Sequence, residues 1–202
     1  MKLFSLESGI ELQRFTFNEV KDGIGNLRQK AYQSKYGNAT GLNDEFDLAS
    51  QHICAIVKDE IIGSVRVMYH QNDDLTDRGR YVSLPNDLLP LSRGTEASRL
   101  CTSPDHRGKG LAVILMMTVV LETLRSGRRF TWGGAAGSML DFYKRFGYRS
   151  LGLTYSNDAL ESVEHELILL DCSEFLRSMK LPEEWLLIGM PVADEILRLN
   201  IQ

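Results

Sequence analysis

The sequence has few cysteines and no long apolar run, and these shortages exclude several classes of protein. Its three cysteines, Cys54, Cys101 and Cys172, lie in or beside apolar stretches and have no C-x-x-C spacing. We therefore expect buried, reduced thiols and a cytoplasmic location. The N-terminal segment has no continuous apolar core, which predicts that it is not a signal peptide. The longest apolar run, residues 111–121, is too short to span a bilayer.

Positive charge is in the minority, and it is unevenly distributed. The net charge is −4, which argues against a general nucleic-acid-binding protein. Residues 107–149, however, contain eight Lys and Arg against two acidic residues. This basic sector indicates an anionic ligand or partner on one face, although solvated helix ends would give the same count. The histidines have no metal-ligand spacing, so we predict no metal site and no functional histidine among His52, His70, His106 and His165.

The apolar patterning predicts one α/β domain without an internal repeat or a linker. Residues 70–94 form a long connection, a feature that is usually functional or mobile. The tail, residues 173–202, is predicted to be a helical appendage broken at Pro182 and Pro191. The other predicted elements are a helix at 18–36, a hairpin at 50–70 with its turn at 58–60, a strand at 95–103, a helix at 111–125, a strand at 128–136, a helix at 138–148 and a strand at 164–172.

The segment SPDHRGKGLAVILMM, residues 103–117, places a basic glycine loop directly before an apolar helix. Free backbone N–H groups and the helix dipole make such a junction an anion cradle. It is not a Walker loop, because Leu111 follows GKG where Ser or Thr is required. It is not a Rossmann fingerprint either, because Val113 occupies the position of the third glycine.

The loop contains instead the pattern R-x-x-G-x-A, formed by Arg107, Gly110 and Ala112. This pattern resembles the pantetheine-pyrophosphate loop of the GNAT acyltransferase superfamily. Downstream, DFYKRFGYRSLG resembles the end of that superfamily's aromatic-Tyr-x-x-x-Gly-aromatic helix and places Tyr143 at the position of its acid. The resemblance covers residues 95–152. It implies an α/β (α+β) fold of the GNAT type, with a mixed, mostly antiparallel sheet flanked by helices, in a single domain over residues 1–202.

A narrower resemblance lies upstream. The segments LRQKAY, NDEFDLASQH, IIGSVRV and EASRL occur in the order found in acyl-homoserine-lactone synthases and long-chain N-acyl amino acid synthases. No tryptophan lies between Tyr32 and Asp44, where lactone synthases often have one, and this favours the amino acid branch. The alternative for the charged residues is a structural ion-pair network that orders the loop. The positions that the resemblance implies for substrate binding are Arg28, Asp44, Phe46, Asp47, Arg66, Ser98 and Arg99.

Acyl transfer from a thioester to an amine requires four functions, and the resemblance suggests a residue for each. A bulge near Leu100 or Cys101 frees a backbone N–H that polarises the carbonyl. Glu96 removes the amine proton, directly or through water, and Tyr143 protonates the departing thiolate. An ideal strand would place Glu96 and Arg99 on opposite faces, so a bulge is needed to bring them together. The donor's phosphate is assigned to Arg107, Gly108, Lys109, Gly110, Leu111 and Ala112.

The resemblance implies no tightly bound cofactor and an acyl-phosphopantetheine thioester, on acyl carrier protein or CoA, as co-substrate. We predict an N-acyltransferase that moves a medium or long acyl group onto an amino acid amine, with Leu88 and Leu89 covering the acyl chain. Open alternatives are an acetyl-CoA-dependent N-acetyltransferase of a small amine, an acyl-homoserine-lactone synthase and a non-catalytic acyl-thioester-binding module. A homodimer is permitted but not required. The residues predicted to contact an acidic carrier protein are Lys109, Arg125, Arg128, Arg129, Lys144 and Arg145.

Overall fold

A computed structural model describes residues 1–6, 8–36, 42–71, 76–84, 91–157, 163–178 and 181–199. The strands in this part of the chain form one sheet in the order β1-β2-β3-β4-β5-β6-β8-β7. Neighbouring strands are antiparallel except β5 and β6, which are parallel. The strands are β1 (Lys2–Ser5), β2 (Glu11–Thr16), β3 (Gln51–Val57), β4 (Glu60–Tyr69), β5 (Gly94–Thr102), β6 (Phe130–Ala136), β7 (Arg149–Asn157) and β8 (Val163–Asp171).

Helices cover both faces of the sheet. The predicted helices at 18–36 and 111–125 and the turn of the hairpin are confirmed, and α4 ends at Gly147, whose φ of 100° is left-handed. None of the helices within the described ranges is long and apolar enough to cross a membrane. The helices are α1 (Phe17–Tyr36), α2 (Glu45–Leu48), α3 (Leu111–Arg125), α4 (Leu140–Phe146), α5 (Cys172–Ser178), α6 (Glu183–Ile188) and α7 (Met190–Leu199).

The main core lies between α3 and one face of the sheet. Almost the whole of α3 is buried, as expected for a helix that is apolar on all sides. Val65 and Val67 of β4 point into this layer and are fully buried. The C-terminal helices complete the same layer through Trp185, Val192 and Ile196. Burial of each such side chain stabilises the fold by about 1.5–3 kcal/mol.

The predicted bulge is present in β5. Arg66 of β4 pairs with Ser98, whereas Ser64 pairs with Cys101, so β5 contains one residue more than its partner between these pairs. Arg99 lies in this interval with a left-handed φ of 54°. A bulge of this kind lets two successive side chains leave the normal alternation of a strand.

A gap opens between β5 and β6 directly after three paired residues. The parallel ladder runs only from Gly94 opposite Phe130 to Glu96 opposite Trp132. The next residue of β6 is Gly133, where a Cβ atom would lie 2.3 Å from the carbonyl oxygen of Ala97. Glycine is therefore required at this point, and beyond it the two strands separate.

Candidate active site

A cavity with a volume of about 490 Å³ lies in the gap between β5 and β6. Residues 97–102 of β5 form one wall, and residues 132–136 of β6 form the other. Arg107 and Ala112 close one end, and α4 contributes Tyr143. Separated strands leave backbone N–H and C=O groups for an extended ligand to pair with.

The glycine loop has the geometry of an anion site. Gly108 and Gly110 have φ angles of 74° and 76°, which glycine adopts without strain. Leu111 begins α3 directly after them, and its first turn has no side-chain cap in the described structure. The N–H groups of this turn and the helix dipole therefore favour an anion here. Arg107 donates from Nη2 to the carbonyl of Ala31 at 3.0 Å and so links the loop to α1.

The C-terminal helices reach this loop, which the sequence did not predict. A Cβ atom at Gly110 would lie 2.6 Å from Cγ2 of Ile188, the last residue of α6. A Cβ atom at Gly189 would lie 2.3 Å from the sulfur of Met117 in α3. The tail therefore packs against both the glycine loop and α3, and two glycines permit this close approach.

Tyr143 lies at the side of the cavity. Its ring makes edge-to-face contacts with Phe142 and Tyr148 at centroid distances of 5.2 and 5.4 Å. These contacts hold the phenol against the cavity wall. Leu100 and Ser98 also line the cavity, on the β5 side.

The predicted acidic pair, Asp44 and Asp47, belongs to a set of buried charged residues that we call the ion network. Arg28 donates to both carboxylate oxygens of Asp47, at 2.8 and 2.9 Å, and both side chains are fully buried. Burial raises the pKa of Asp47, but hydrogen bonds and charge from Arg28 outweigh it and leave this pKa below its ordinary value. The ion network comprises Arg28, Asp44, Asp47, Arg66, Asp77, Arg78, Glu96 and Arg99.

Arg66 is the centre of the ion network. Its guanidinium donates to Asp44 at 2.5 Å, to Asp47 at 3.2 Å and to Asp77 at 2.6 Å. Its Nε donates to the hydroxyl of Ser98 at 2.8 Å. Arg99, at the bulge, donates to the second oxygen of Asp44 at 2.8 Å. The bulge thus brings Arg99 to the face that also holds Ser98.

Most of the residues predicted to bind the acceptor substrate belong to the ion network and lie behind the cavity wall. Among them only Ser98 and Arg99 line the cavity. Phe46 lies beneath the guanidinium of Arg80, 4.2 Å from ring centroid to Cζ. The contacts of Arg28, Asp44, Asp47 and Arg66 are those of the alternative interpretation, an ion-pair network that orders the loop.

Asp77 and Arg78 are site residues that the sequence analysis missed. Both lie in the connection 70–94 and are almost fully buried. Burial raises the pKa of Asp77, but the charges of Arg78 and Arg66 outweigh it and lower this pKa to about 2. The clustered charges of TDRGR are a signal, but charged loop residues are usually solvated, so local sequence could not show their burial.

Glu96 is fully buried and is not among the residues that line the cavity. Nε2 of His70 lies 2.7 Å from Glu96 Oε2. On the other side, Nε of Arg78 lies 4.0 Å from Oε1. Glu96 could therefore reach a molecule in the cavity only through water or after a small side-chain movement.

Two of the histidines that were predicted to have no function, His70 and His165, lie at the candidate site. His70 contacts Glu96, and His165 lines the cavity. Nδ1 of His165 lies 2.7 Å from the carbonyl of Val163, and a carbonyl only accepts, so Nδ1 carries a proton. Spacing along the sequence missed these positions because strand pairing brings distant residues together: His165 pairs with Ala136 across β8 and β6.

The six basic residues predicted to contact a carrier protein do not lie on one face beside the loop. Lys109 precedes α3, whereas Arg125 ends it, and a helix of 15 residues separates its ends by about 22 Å. Arg125 and Arg129 pair with Glu195 and Asp171. Charge counted along the sequence does not show this separation, and only Lys109, Lys144 and Arg145 remain as candidates near the loop and α4.

The three cysteines are buried and free, as predicted. Cys101 lines the cavity, with its sulfur 3.5 Å from the hydroxyl of Ser64. Burial raises the pKa of the Cys101 thiol. The thiol therefore stays protonated, which does not suit a nucleophile. In the parts of the chain with described coordinates, no group of three His, Cys, Asp or Glu side chains is arranged to hold a metal ion.

The sheet order, the gap after a bulged strand and the glycine loop at the start of α3 define an acyltransferase of the GNAT class. The family described as "Acetyltransferase (GNAT) domain" matches residues 49–150, half of the chain. The chain belongs to this family and is an acyltransferase. No curated protein sequence matches it significantly.

Solved structures show the same fold. The N-acyl amino acid synthase FeeM from uncultured soil microbes superposes with a TM-score of 0.65 at 10% identity, covering 83% of this chain and 93% of that one. The CoA-dependent acyl-homoserine lactone synthase BjaI gives 0.63 at 15% identity, covering 96% and 100%. Escherichia coli ElaA gives 0.61 at 19% identity, covering 80% and 99%.

Proposed function

We propose that the protein transfers an acyl group from a phosphopantetheine thioester to the amine of an amino acid. The observation that carries this proposal is the cavity between β5 and β6, with the glycine loop at one end and buried charged residues beside it. An extended arm fits the gap between the strands, and its phosphate fits the loop. The buried charged residues beside the cavity would then bind a polar acceptor substrate.

The chemistry divides among four places in this cavity. The amine attacks the thioester carbonyl, and a backbone N–H near the bulge at Leu100 and Cys101 stabilises the oxyanion. The C–S bond breaks, and Tyr143 gives its phenolic proton to the departing thiolate. Glu96 takes the amine proton through water, and His70 holds the carboxylate in place through its 2.7 Å contact. One proton is taken and one is given, so the step balances.

The donor is an acyl-CoA or an acyl carrier protein, since both present the same arm to the loop. Lys109, Lys144 and Arg145 would contact an acidic carrier protein. Arg145 already pairs with Glu184 and stacks on Trp185, which leaves less charge for docking than the sequence implied. A medium or long acyl chain is expected from the resemblance; Leu88 and Leu89, predicted to cover it, lie outside the described residues.

A lactone synthase is a second candidate, because the match to BjaI extends over 96% of this chain. That structure contains S-adenosylmethionine and isopentyl-CoA. The two functions differ in product: one gives a linear N-acyl amino acid, the other a lactone.

The test is a panel of donors and acceptors assayed for thiol release and product mass. The donors are acetyl-CoA, a C14–C16 acyl-CoA and the corresponding acyl carrier protein; the acceptors are the amino acids, S-adenosylmethionine and simple amines. We expect a linear N-acyl amino acid from a long-chain donor. A lactone from S-adenosylmethionine would support the second candidate, and acetylation of simple amines alone would contradict both.

A further inference from the structure

In addition to Nε of Arg99, four clustered buried polar atoms beside the cavity have no hydrogen-bond partner within the described structure. They are Nε of Arg78, Oε1 of Glu96, Nε1 of Trp132 and the hydroxyl of Tyr155. They come from four separate segments: the connection before β5, then β5, β6 and β7. A buried polar group without a partner is unfavourable, and a cluster of them beside a cavity favours the binding of a polar ligand there.

The four atoms lie over one patch of the sheet. Trp132 pairs with Glu96 across the parallel ladder, and Gly134 lies two residues further along β6 on the same face. A Cβ atom at Gly134 would lie 1.7 Å from the Tyr155 hydroxyl oxygen and 3.0 Å from Nε of Arg78. Only glycine leaves room for both groups. Arg78, Trp132 and Gly134 all line the cavity.

The cluster combines a carboxylate, a guanidinium and two neutral donors. Nε of Arg78 and Oε1 of Glu96 are 4.0 Å apart, too far for a hydrogen bond to each other. Burial raises the pKa of Tyr155 to about 12, so its hydroxyl remains a donor at neutral pH. The Tyr155 ring is stacked between Tyr81 and His165, at centroid distances of 5.6 and 5.5 Å, which fixes its position.

We propose that Arg78, Glu96, Trp132 and Tyr155 form the subsite for the head group of a free α-amino acid acceptor. The carboxylate accepts from Arg78 Nε and the Tyr155 hydroxyl, with Trp132 as a further donor, and the amino group faces Glu96. An α-amino acid carries its amine and its carboxylate on one carbon, which suits a cationic donor and an anionic acceptor 4.0 Å apart. This inference rests on the proposed function and specifies its acceptor.

The test compares an accepted amino acid with its α-amide and its decarboxylated amine at a saturating donor concentration. For the wild type we expect kcat/KM to be at least about 100-fold higher for the amino acid, because the analogues leave buried donors unpaired. Tyr155→Phe and Arg78→Lys should each reduce this ratio about tenfold or more, mainly by raising KM for the amino acid. Tyr81→Phe, which alters the neighbouring ring of the same stack, is the matched control and should keep the ratio.

A folding defect should not account for the result with Tyr155→Phe, because this variant is expected to remain folded. Its hydroxyl has no partner among the described residues, so the change should leave Tm equal or higher. Binding calorimetry with the amino acid and its amide, with and without CoA, gives a readout that needs no turnover. Carboxylate-dependent binding that Tyr155→Phe weakens supports the subsite even for a donor that is not turned over.

The outcomes separate the two claims. Transfer to amino acids with an unchanged ratio in both variants overturns the subsite and leaves the proposed function standing. Equal transfer to the amino acid and its decarboxylated amine in the wild type overturns the subsite as well. Neither transfer nor carboxylate-dependent binding overturns both.

Discussion

The two faces of β4 bury very different side chains. Val65 and Val67 point into the apolar layer under α3, whereas Ser64 and Arg66 point to the face that holds the ion network. All four side chains are buried. The apolar face is stabilised without regard to exact partners, while each charge on the other face depends on a specific neighbour. One face therefore contributes mainly to the apolar core, and the other holds the charged residues beside the candidate site.

We expect the largest difference in stability between the two faces of β4 when the charge of Arg66, the centre of the ion network, is removed. Arg66→Met leaves Asp44, Asp47 and Asp77 without their shared partner, and it should lower the free energy of unfolding by about 3–5 kcal/mol. Leu115→Ala on the apolar face should cost about 2–5 kcal/mol through a cavity. The measurement is denaturant unfolding at pH 7 and pH 3. Only the Arg66 variant should change the pH dependence, and identical pH profiles for both variants would contradict the comparison.

Tyr143→Phe tests the catalytic side of the cavity. It should lower kcat about a hundredfold, because the thiolate loses its proton donor, while stability and KM change little. Tyr69→Phe, on the α3 face of β4, is the matched control. Steady-state kinetics decide the matter, and an unchanged kcat in Tyr143→Phe would restrict this ring to packing.

His52 should make the free energy of unfolding of the protein depend on pH in mildly acidic solution. Burial lowers its pKa to about 4, despite the carbonyl of Asp47 at 3.2 Å. A histidine with a lowered folded pKa contributes stability above its unfolded pKa of about 6.5, and that stability declines as pH falls toward 4. Wild-type unfolding free energy should thus fall by roughly 2–3 kcal/mol over this window. His52→Gln should flatten the profile, and a slope retained in that variant would show another origin.

The smallest expected effect concerns the gap itself. Gly133→Ala would place a methyl group against the Ala97 carbonyl and should destabilise the protein by about 1–3 kcal/mol while weakening donor binding. Gly137→Ala, where a Cβ meets nothing within 4 Å, is the control. Thermal unfolding and donor KM measure both effects. Equal behaviour of the two variants would mean that the strands can adjust without cost.

Elements that have a clear local sequence pattern could be predicted from the sequence. The alternation in residues 50–70 predicted the hairpin, and the apolar run predicted α3. The class of fold was implied by the family resemblance of the glycine loop and the segment around Tyr143. Strands β1, β2 and β7 were missed because they are short or interrupted, with Gly152 at a φ of 70° within β7. The contact of His70 with Glu96, and the burial of Arg78, depend on pairings between distant segments that no local pattern contains.

The most direct measurement is a crystal structure of the protein with CoA and an accepted amino acid. We expect the pantetheine arm between β5 and β6, its phosphates at residues 107–112, and the amino acid carboxylate within hydrogen-bond distance of Arg78 Nε and the Tyr155 hydroxyl. A donor bound outside the gap between β5 and β6, or an amino acid whose carboxylate lies away from Arg78 and Tyr155, would contradict the account.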